Sequence, residues 1–223
     1  MSKHAFDTLI KVGGSISEKG SREQFKSLCQ MLYNIYINQK RFLGLSGGGI
    51  FAELVRKFQK DFDFTDEIAH WMAIYGMEQH SLLLKEFIPH SEFICVIDFK
   101  EMDSYQIKKM PILKVMNFMR KISVLEHNWN TTSDAIACEI ASYLDLKQII
   151  FVKDVDGVYI KEALVPEIRI NELMKLKISP LDSTTPKLLK RRNINGYIIN
   201  GFYPSRLKDF IDGKEIICTK LIC

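Results

Sequence analysis

Between Gln148 and Lys153 the chain carries an unbroken apolar run, Ile149 to Val152, whose length suits a strand covered on both faces. Just upstream, Ile136, Ile140, Ala141 and Leu144 recur at helical spacing, and Thr132 or Ser133 can cap the helix they predict. The same alternation covers the chain. Short apolar runs predict strands at Phe6 to Val12, Phe42 to Leu45, Phe93 to Ile97, Ile112 to Val115, Tyr197 to Asn200 and Ile216 to Ile222. Between them, Ser21 to about Gln39 shows an apolar stripe of Phe25, Leu28, Cys29, Leu32, Ile35 and Tyr36. Further helices are predicted from Ile50 to about Lys60, from Thr65 to Leu84 and from Pro204 to Ile211. A last helix contains Lys187 to Arg191, with Ser183 or Thr184 as its cap and Pro186 in its first turn. Lys100 to Lys109 reads as a charged loop or short hairpin. Strands alternating with helices argue for an α/β fold, a three-layer αβα sandwich around a mainly parallel sheet.

A chain of 223 residues with 47% hydrophobic content can bury a large core as one domain or two closely joined lobes. Its apolar runs fall short of a membrane span and MSKHAFDTLIKVGGS lacks a signal-peptide pattern, so a cytoplasmic protein with no membrane partner is expected. The 31 basic and 27 acidic residues give only +4, too little to argue for nucleic acid. The five cysteines form no CxxC pair and sit mostly in apolar segments, as reduced core thiols do. His70 and His80 have no partner at i+4, so no protein metal site is expected. The cluster Lys187, Lys190, Arg191, Arg192 reads on its own as a solvated helix face.

Three glycine-bearing turns change the picture. Lys11 precedes Gly13, Gly14 and Ser15, pairing a mobile ammonium with a row of backbone N–H groups suited to a polyphosphate, although glycine turns after strands are common. Ser46-Gly47-Gly48-Gly49 leads from a strand directly into a helix, exposing its first N–H groups to an anion. It is no dinucleotide fingerprint, because TDEIAHW stands where the acid-ended strand should follow. The segment DVDGVY sets Asp154, Asp156 and Gly157 after a strand, with Val158 and Tyr159 beyond, and lacks the later ligands of an EF-hand. Walker A and protein-kinase DFG sequences are absent.

TSDAIACEIA followed by FVKDVDGVY resembles the nucleotide-binding half of the amino acid kinase superfamily. SGGGIFAELVR, DEIAHWMAIYGMEQ, HNWNTTSD and IINGFYPSRL are most similar to its archaeal-type branch, which contains the [5-(aminomethyl)furan-3-yl]methyl phosphate kinases. The resemblance implies a carbamate kinase-like fold with an acceptor lobe over 1–125 and a nucleotide lobe over 126–223. It also implies ATP with Mg2+, and transfer of the γ-phosphoryl group to a small phosphorylated acceptor, with a furanylmethyl phosphate as the first expectation. Uridylate kinase is the nearest alternative. Isopentenyl phosphate kinase is less favoured because SGGGIF lacks a histidine before its glycines, and a nucleotide- or anion-binding regulatory or storage protein is the non-enzyme reading.

By the same resemblance Lys11, Gly13, Gly14 and Ser15 hold the β and γ phosphates, Asp134 orders the catalytic lysines, and Lys187 is the second lysine. Gly47, Gly48 and Gly49 seat the acceptor; Arg56, Asp66, Asn130, Thr132 and Ser133 contact it, with His70 and Trp129 nearby. Lys153, Asp154, Asp156, Gly157, Val158 and Tyr159 form the nucleoside end. Lys153 stands where many relatives have threonine. Apolar positions such as Trp71, Met72, Tyr75 and Met77 serve the core or an interface, in keeping with a homodimer or higher homo-oligomer.

Overall fold

The computed structural model describes residues 6–38, 42–103 and 106–223. In chain order its first half runs β1 (Thr8–Val12), α1 (Ser15–Lys19), α2 (Arg22–Asn38), β2 (Leu43–Ser46), α3 (Gly49–Phe62), α4 (Asp66–Phe87), β3 (Ser91–Cys95), α5 (Val96–Glu101), β4 (Met110–Lys114) and α6 (Met116–Lys121). The second half runs α7 (Ser133–Tyr143), β5 (Gln148–Lys153), β6 (Val158–Ile160), β7 (Ala163–Val165), β8 (Glu167–Arg169), α8 (Ile170–Leu173), α9 (Thr185–Arg192), β9 (Asn195–Asn200), α10 (Ser205–Ile211) and β10 (Thr219–Ile222).

Among the described residues eight strands form one sheet in the order β3-β4-β2-β1-β5-β9-β10-β8, parallel except where β10 meets β9. The fold is a three-layer αβα sandwich, and each half of the chain supplies four neighbouring strands, which meet at the β1–β5 pair. β1 pairs in parallel with β2 on one side and β5 on the other, and all of Thr8–Val12 is buried. Ile149 to Val152 of β5 have no exposed surface, the burial that the unbroken apolar run requires.

Several expectations shift. β3 ends at Cys95, and Val96 and Phe99, three apart and fully buried, instead anchor the short helix α5 where a strand end and a loop or hairpin were expected. A single helical turn, α1, follows the first glycine turn because Ile16 has a core position to fill. The last strand begins at Thr219, three residues after Ile216. Neither Ser183 nor Thr184 caps α9 by its side chain; Asp182 does so, accepting from Thr185 N at 2.7 Å and Thr184 N at 3.1 Å. Its other oxygen accepts from Ala135 N at 3.2 Å and from Thr132 N and Oγ1 at 3.0 and 2.7 Å, so one carboxylate ties the starts of α7 and α9 together. Gln39, the expected end of the second helix, and residues 104–105 of the charged segment lie outside the described residues. No helix among the described residues is long and apolar enough to cross a membrane, and their cysteines are all free.

Candidate active site

β1, β2 and β5 are parallel neighbours, so their carboxyl ends open on one edge of the sheet, the usual ligand edge of such folds. The first two glycine turns prolong the ladder there. Gly13 N donates to Val152 O and Gly47 N to Val12 O, each at 2.8 Å. Beyond this point the loops touch. A Cβ on Gly14 would lie 2.2 Å from both N and Cα of Gly49, an approach that only glycine permits, and Gly49 itself adopts a left-handed φ of 55°.

Lys11 projects from the end of β1 towards the first turn of α7, where its Nζ stands 2.7 Å from Asp134 Oδ1. From the end of β5, Lys153 Nζ stands 2.5 Å from Asp134 Oδ2. The two ammonium groups share one carboxylate. Burial pushes the Asp134 carboxyl up, yet the two lysines more than offset it and hold it below the usual carboxylate range. Lys11 is lowered by burial, with Asp134 opposing and Lys153 reinforcing the shift. Two cations, one buried and one half-buried, against one buried anion leave an excess positive charge, which a phosphate ligand would neutralise.

These groups form the floor of a cleft of about 500 Å3. At one end Ser15 Oγ and Lys19 Nζ bind the Asp154 carboxylate at 2.9 and 2.5 Å, tying α1 to the segment after β5. The other end is walled by α3, α4 and the turn before α7. There Arg56 lies over the Trp129 ring at 4.2 Å, Trp129 Nε1 donates to Gln59 Oε1 at 2.5 Å, and Gln59 Nε2 donates to Asp66 Oδ1 at 2.7 Å. His70 stacks on His127 with centroids 4.1 Å apart, and burial, reinforced by His127, pushes its pKa down to about 4. Among the described residues buried Arg56 Nε, 3.7 Å from Glu53 Oε2, and buried His70 Nε2 have no hydrogen-bond partner. Both residues line the cleft, so a polar ligand would complete them.

The family model described as "Amino acid kinase family" matches residues 8–200. The chain belongs to the amino acid kinase family. Over 96% of its length, and 97% of the relative's, it is 31% identical to the [5-(aminomethyl)furan-3-yl]methyl phosphate kinase of Methanocaldococcus jannaschii. It is 25% identical to the uridylate kinase of Thermococcus kodakarensis, with 93% of this chain and 96% of that one covered. The crystal structure of uridylate kinase from Archaeoglobus fulgidus superposes with a TM-score of 0.75 at 17% identity, over 96% of this chain and 99% of that one. UMP kinase from Ureaplasma parvum gives 0.75 at 18% identity, over 97% and 99%. These last two establish the fold, and the family makes the chain a phosphotransferase.

In this amino acid kinase the cleft gathers Lys11, Gly13, Gly14, Ser15, Asp134 and Lys153 with Gly48, Gly49, Arg56, Asp66, Thr132 and Ser133. Gly47 lies against the floor, its Cβ position 3.2 Å from both Lys11 Nζ and Ser133 Oγ. Other candidates stand apart from the lining. Lys187 is exposed and lines a separate hollow with Leu173 and Asp182. Asp156 Oδ1 is engaged by Asn200 Nδ2 at 3.0 Å and by Arg206, and its Oδ2 accepts from Tyr159 Oη at 3.3 Å. Gly157 closes on Thr219, whose Oγ1 accepts from Val158 N at 2.8 Å, so these two residues anchor the β6–β7 hairpin. Asn130 is exposed, its N–H donating to Asn128 Oδ1 at 2.9 Å. Sequence reasoning missed Gln59 and Asp182, whose contacts span long separations, and it gave His80 no role.

Proposed function

We propose that this kinase transfers the γ-phosphoryl group of ATP to the phosphate of a small phosphomonoester, forming a diphosphate. The observation that carries the reading is the shared grip of Lys11 and Lys153 on Asp134 at the floor of the cleft, between the two glycine turns. The bond from the γ phosphorus to the β,γ-bridging oxygen breaks, leaving ADP, and a bond forms from that phosphorus to an acceptor phosphate oxygen. That oxygen is already ionised near neutral pH, with a second phosphate pKa of about 6, so no general base is needed. Asp134, occupied by two ammonium groups, aims the lysines. They and the Gly13 and Gly14 amides offset charge on the transferring group.

The Asp134 carboxylate faces two lysine ammonium groups and both Asp154 oxygens accept from Ser15 and Lys19, so in this reading Mg2+ would be held largely by the nucleotide's phosphates. The magnesium supplies charge neutralisation when bound. Ser15, Lys153 and Asp154 lead to the nucleoside end. Gly47 to Gly49, Arg56, Asp66, Thr132 and Ser133 hold the acceptor. A furanylmethyl phosphate is the favoured acceptor, supported by the near full-length 31% identity to the Methanocaldococcus enzyme. The Asp66 carboxylate at the acceptor end also suits the ammonium of an aminomethyl group.

Residues 1–125 and 126–223 then act as acceptor and nucleotide lobes of one domain. Exposed apolar positions on α3 (Ile50, Leu54, Phe58, Phe62) and α4 (Ile68, Tyr75, Leu82) support a homo-oligomer, and a cytoplasmic location suits an ATP-using enzyme with free thiols. The test is ATP turnover against an aminomethylfuranylmethyl phosphate, UMP and isopentenyl phosphate, each beside its unphosphorylated alcohol or nucleoside. Turnover of the furan ester above the other phosphates supports the full reading, and turnover of UMP alone moves the chain to uridylate kinase. ATP binding without any turnover overturns it in favour of a binding role.

A further inference from the structure

His80 sits on α4 at 1% exposure, outside the cleft lining, yet its ring joins the two loops that meet there. Nδ1 lies 2.7 Å from Ser46 Oγ, at the root of the acceptor-side turn, and Nε2 lies 2.6 Å from Ser17 Oγ, in α1 just past the first glycine turn. Each serine touches its own loop. Ser17 Oγ is 2.9 Å from the Gly14 carbonyl and Ser46 Oγ is 3.0 Å from the Gly47 carbonyl. One imidazole therefore joins Ser17 of the first loop to Ser46 of the second, and whichever serine it donates to can pass its own proton on to the carbonyl of its loop. The ring edge also packs on the left-handed Gly49, where an added Cβ would fall 2.7 Å from His80 Cδ2. Phe25 supports it edge-on, with centroids 6.4 Å apart.

The imidazole is neutral, because burial, with the nearby Lys11 charge, pushes it down to about 4. A neutral ring has one N–H and one lone pair, so the line has a direction. In one tautomer Ser46 donates to Nδ1, Nε2–H donates to Ser17, and Ser17 donates to Gly14 O. In the other, Ser17 donates to Nε2, Nδ1–H donates to Ser46, and Ser46 donates to Gly47 O. Either direction satisfies both ring nitrogens, while Gly14 O keeps the Ser17 backbone N–H at 3.1 Å.

We infer that His80 is a positioning residue for phosphoryl transfer, setting the separation between the loop that holds the donor phosphates and the loop that holds the acceptor phosphate. The inference rests on the function proposed above. In-line transfer demands that the two phosphates be held at a fixed distance, and a misplacement of about 1 Å can cost on the order of 100-fold in rate. Each loop binds its own ligand without the bridge. Their mutual register does not survive its loss.

The test is a double-mutant cycle on kcat with Ser17→Ala and Ser46→Ala, beside His80→Phe and His80→Gln. Expected are losses of roughly 10- to 100-fold in kcat for His80→Phe, with KM for ATP and for acceptor each shifting by less than about 3-fold. His80→Gln, whose amide both donates and accepts, recovers part of the loss. The two serine changes sever the same bridge, so the double variant is no slower than the slower single one. Losses that multiply, or an unaltered kcat in folded His80→Phe, would overturn the inference. Should the parent protein phosphorylate no acceptor, the functional reading fails by itself. The bridge is then read from the factor by which a non-hydrolysable ATP analogue changes the affinity for inorganic phosphate. That factor falls to about one in His80→Phe if the inference holds and is unchanged if it does not.

Discussion

Lys153 places its Nζ 2.5 Å from Asp134 Oδ2, on the carboxylate oxygen that Lys11 leaves open. The sheet register explains how. Lys11 lies opposite Phe151 in the parallel pairing of β1 with β5, and Lys153 is two residues beyond Phe151, so the pleat sends both lysines to the same face. α7 carries Asp134 onto that face. Where the resemblance leads one to expect a threonine, this chain holds a second ammonium group at the point where three elements converge.

Lys153 should therefore matter more than Lys187. Lys153→Met is expected to lower kcat by roughly 100-fold, the scale on which removing one charge-stabilising donor acts. Its melting temperature should hold, since an excess cation is removed and Lys11 still pairs with Asp134. Lys187→Ala, at an exposed position lining another hollow, should change kcat by less than about 2-fold. Asp134→Asn would strand both ammonium groups and cost about 3–5 kcal/mol of stability. Steady-state kinetics and thermal melts on the three variants decide the matter, and a Lys187 variant slower than the Lys153 variant would reject this assignment.

The contact of the two glycine turns gives a second expectation. Gly14→Ala puts a methyl group 2.2 Å from the Gly49 backbone, which no side-chain motion can relieve, so the loops must part. An activity loss of about 100-fold or more follows from that displacement. Gly213→Ala is the control: its φ of 77° makes alanine cost about 1–2 kcal/mol, but nothing lies within 4 Å of the added atom. That variant should melt earlier and turn over normally. Equal activity in the two variants would remove the loop contact from the mechanism.

The parts of this site that could be read from the sequence are those whose signal is local. The Ile149–Val152 run, Lys11 with its glycine turn, and the Thr132 cap of α7, which accepts from Asp134 N at 3.4 Å, each lie within a few residues of what they specify. Lys153 was placed at the nucleoside end, yet its partner is 19 residues upstream on another element and only the β1–β5 register reveals the pairing. His80 gave no signal at all, because a histidine on a partly apolar helix looks the same with partners or without. Asp182 was invisible for a related reason: three of its hydrogen bonds come from Thr132 and Ala135, 50 and 47 residues away. Val96 and Phe99 continued an apolar run that tertiary packing, not propensity, turned into a helix.

The exposed apolar stripe of α3 recurs every fourth residue, at Ile50, Leu54, Phe58 and Phe62, with Phe62 76% exposed. Such a stripe on a helix that begins at the acceptor-side turn is expected to be covered by a second copy of the chain. Phe58→Glu with Phe62→Glu should shift the mass measured by light scattering down to that of the monomer. A parent protein that is already monomeric at micromolar concentration would refute the interface.

His80 also sets an expected acid sensitivity. Its pKa is lowered in the folded protein from the usual 6.5 to about 4, so between these values the unfolded chain binds a proton that the folded one refuses. The stabilisation this represents is complete above pH 6.5 and is lost as pH falls towards 4. At 1.36 kcal/mol per unit, it amounts to about 3 kcal/mol over the whole window. His70, also lowered to about 4, adds a change of the same sign in the same range. Asp134 enters later: its folded pKa lies below the usual 3.8, so its contribution is present above 3.8 and disappears only at still lower pH. Unfolding free energies from denaturant melts at pH 7 and pH 4.5 should therefore lie further apart in the parent protein than in His80→Phe, by about 2–3 kcal/mol. Identical acid slopes in the two would mean that His80 titrates in the fold as it does in the unfolded chain, so that its ring would be charged below pH 6.5 and the neutral hydrogen-bond line between the loops would fail there.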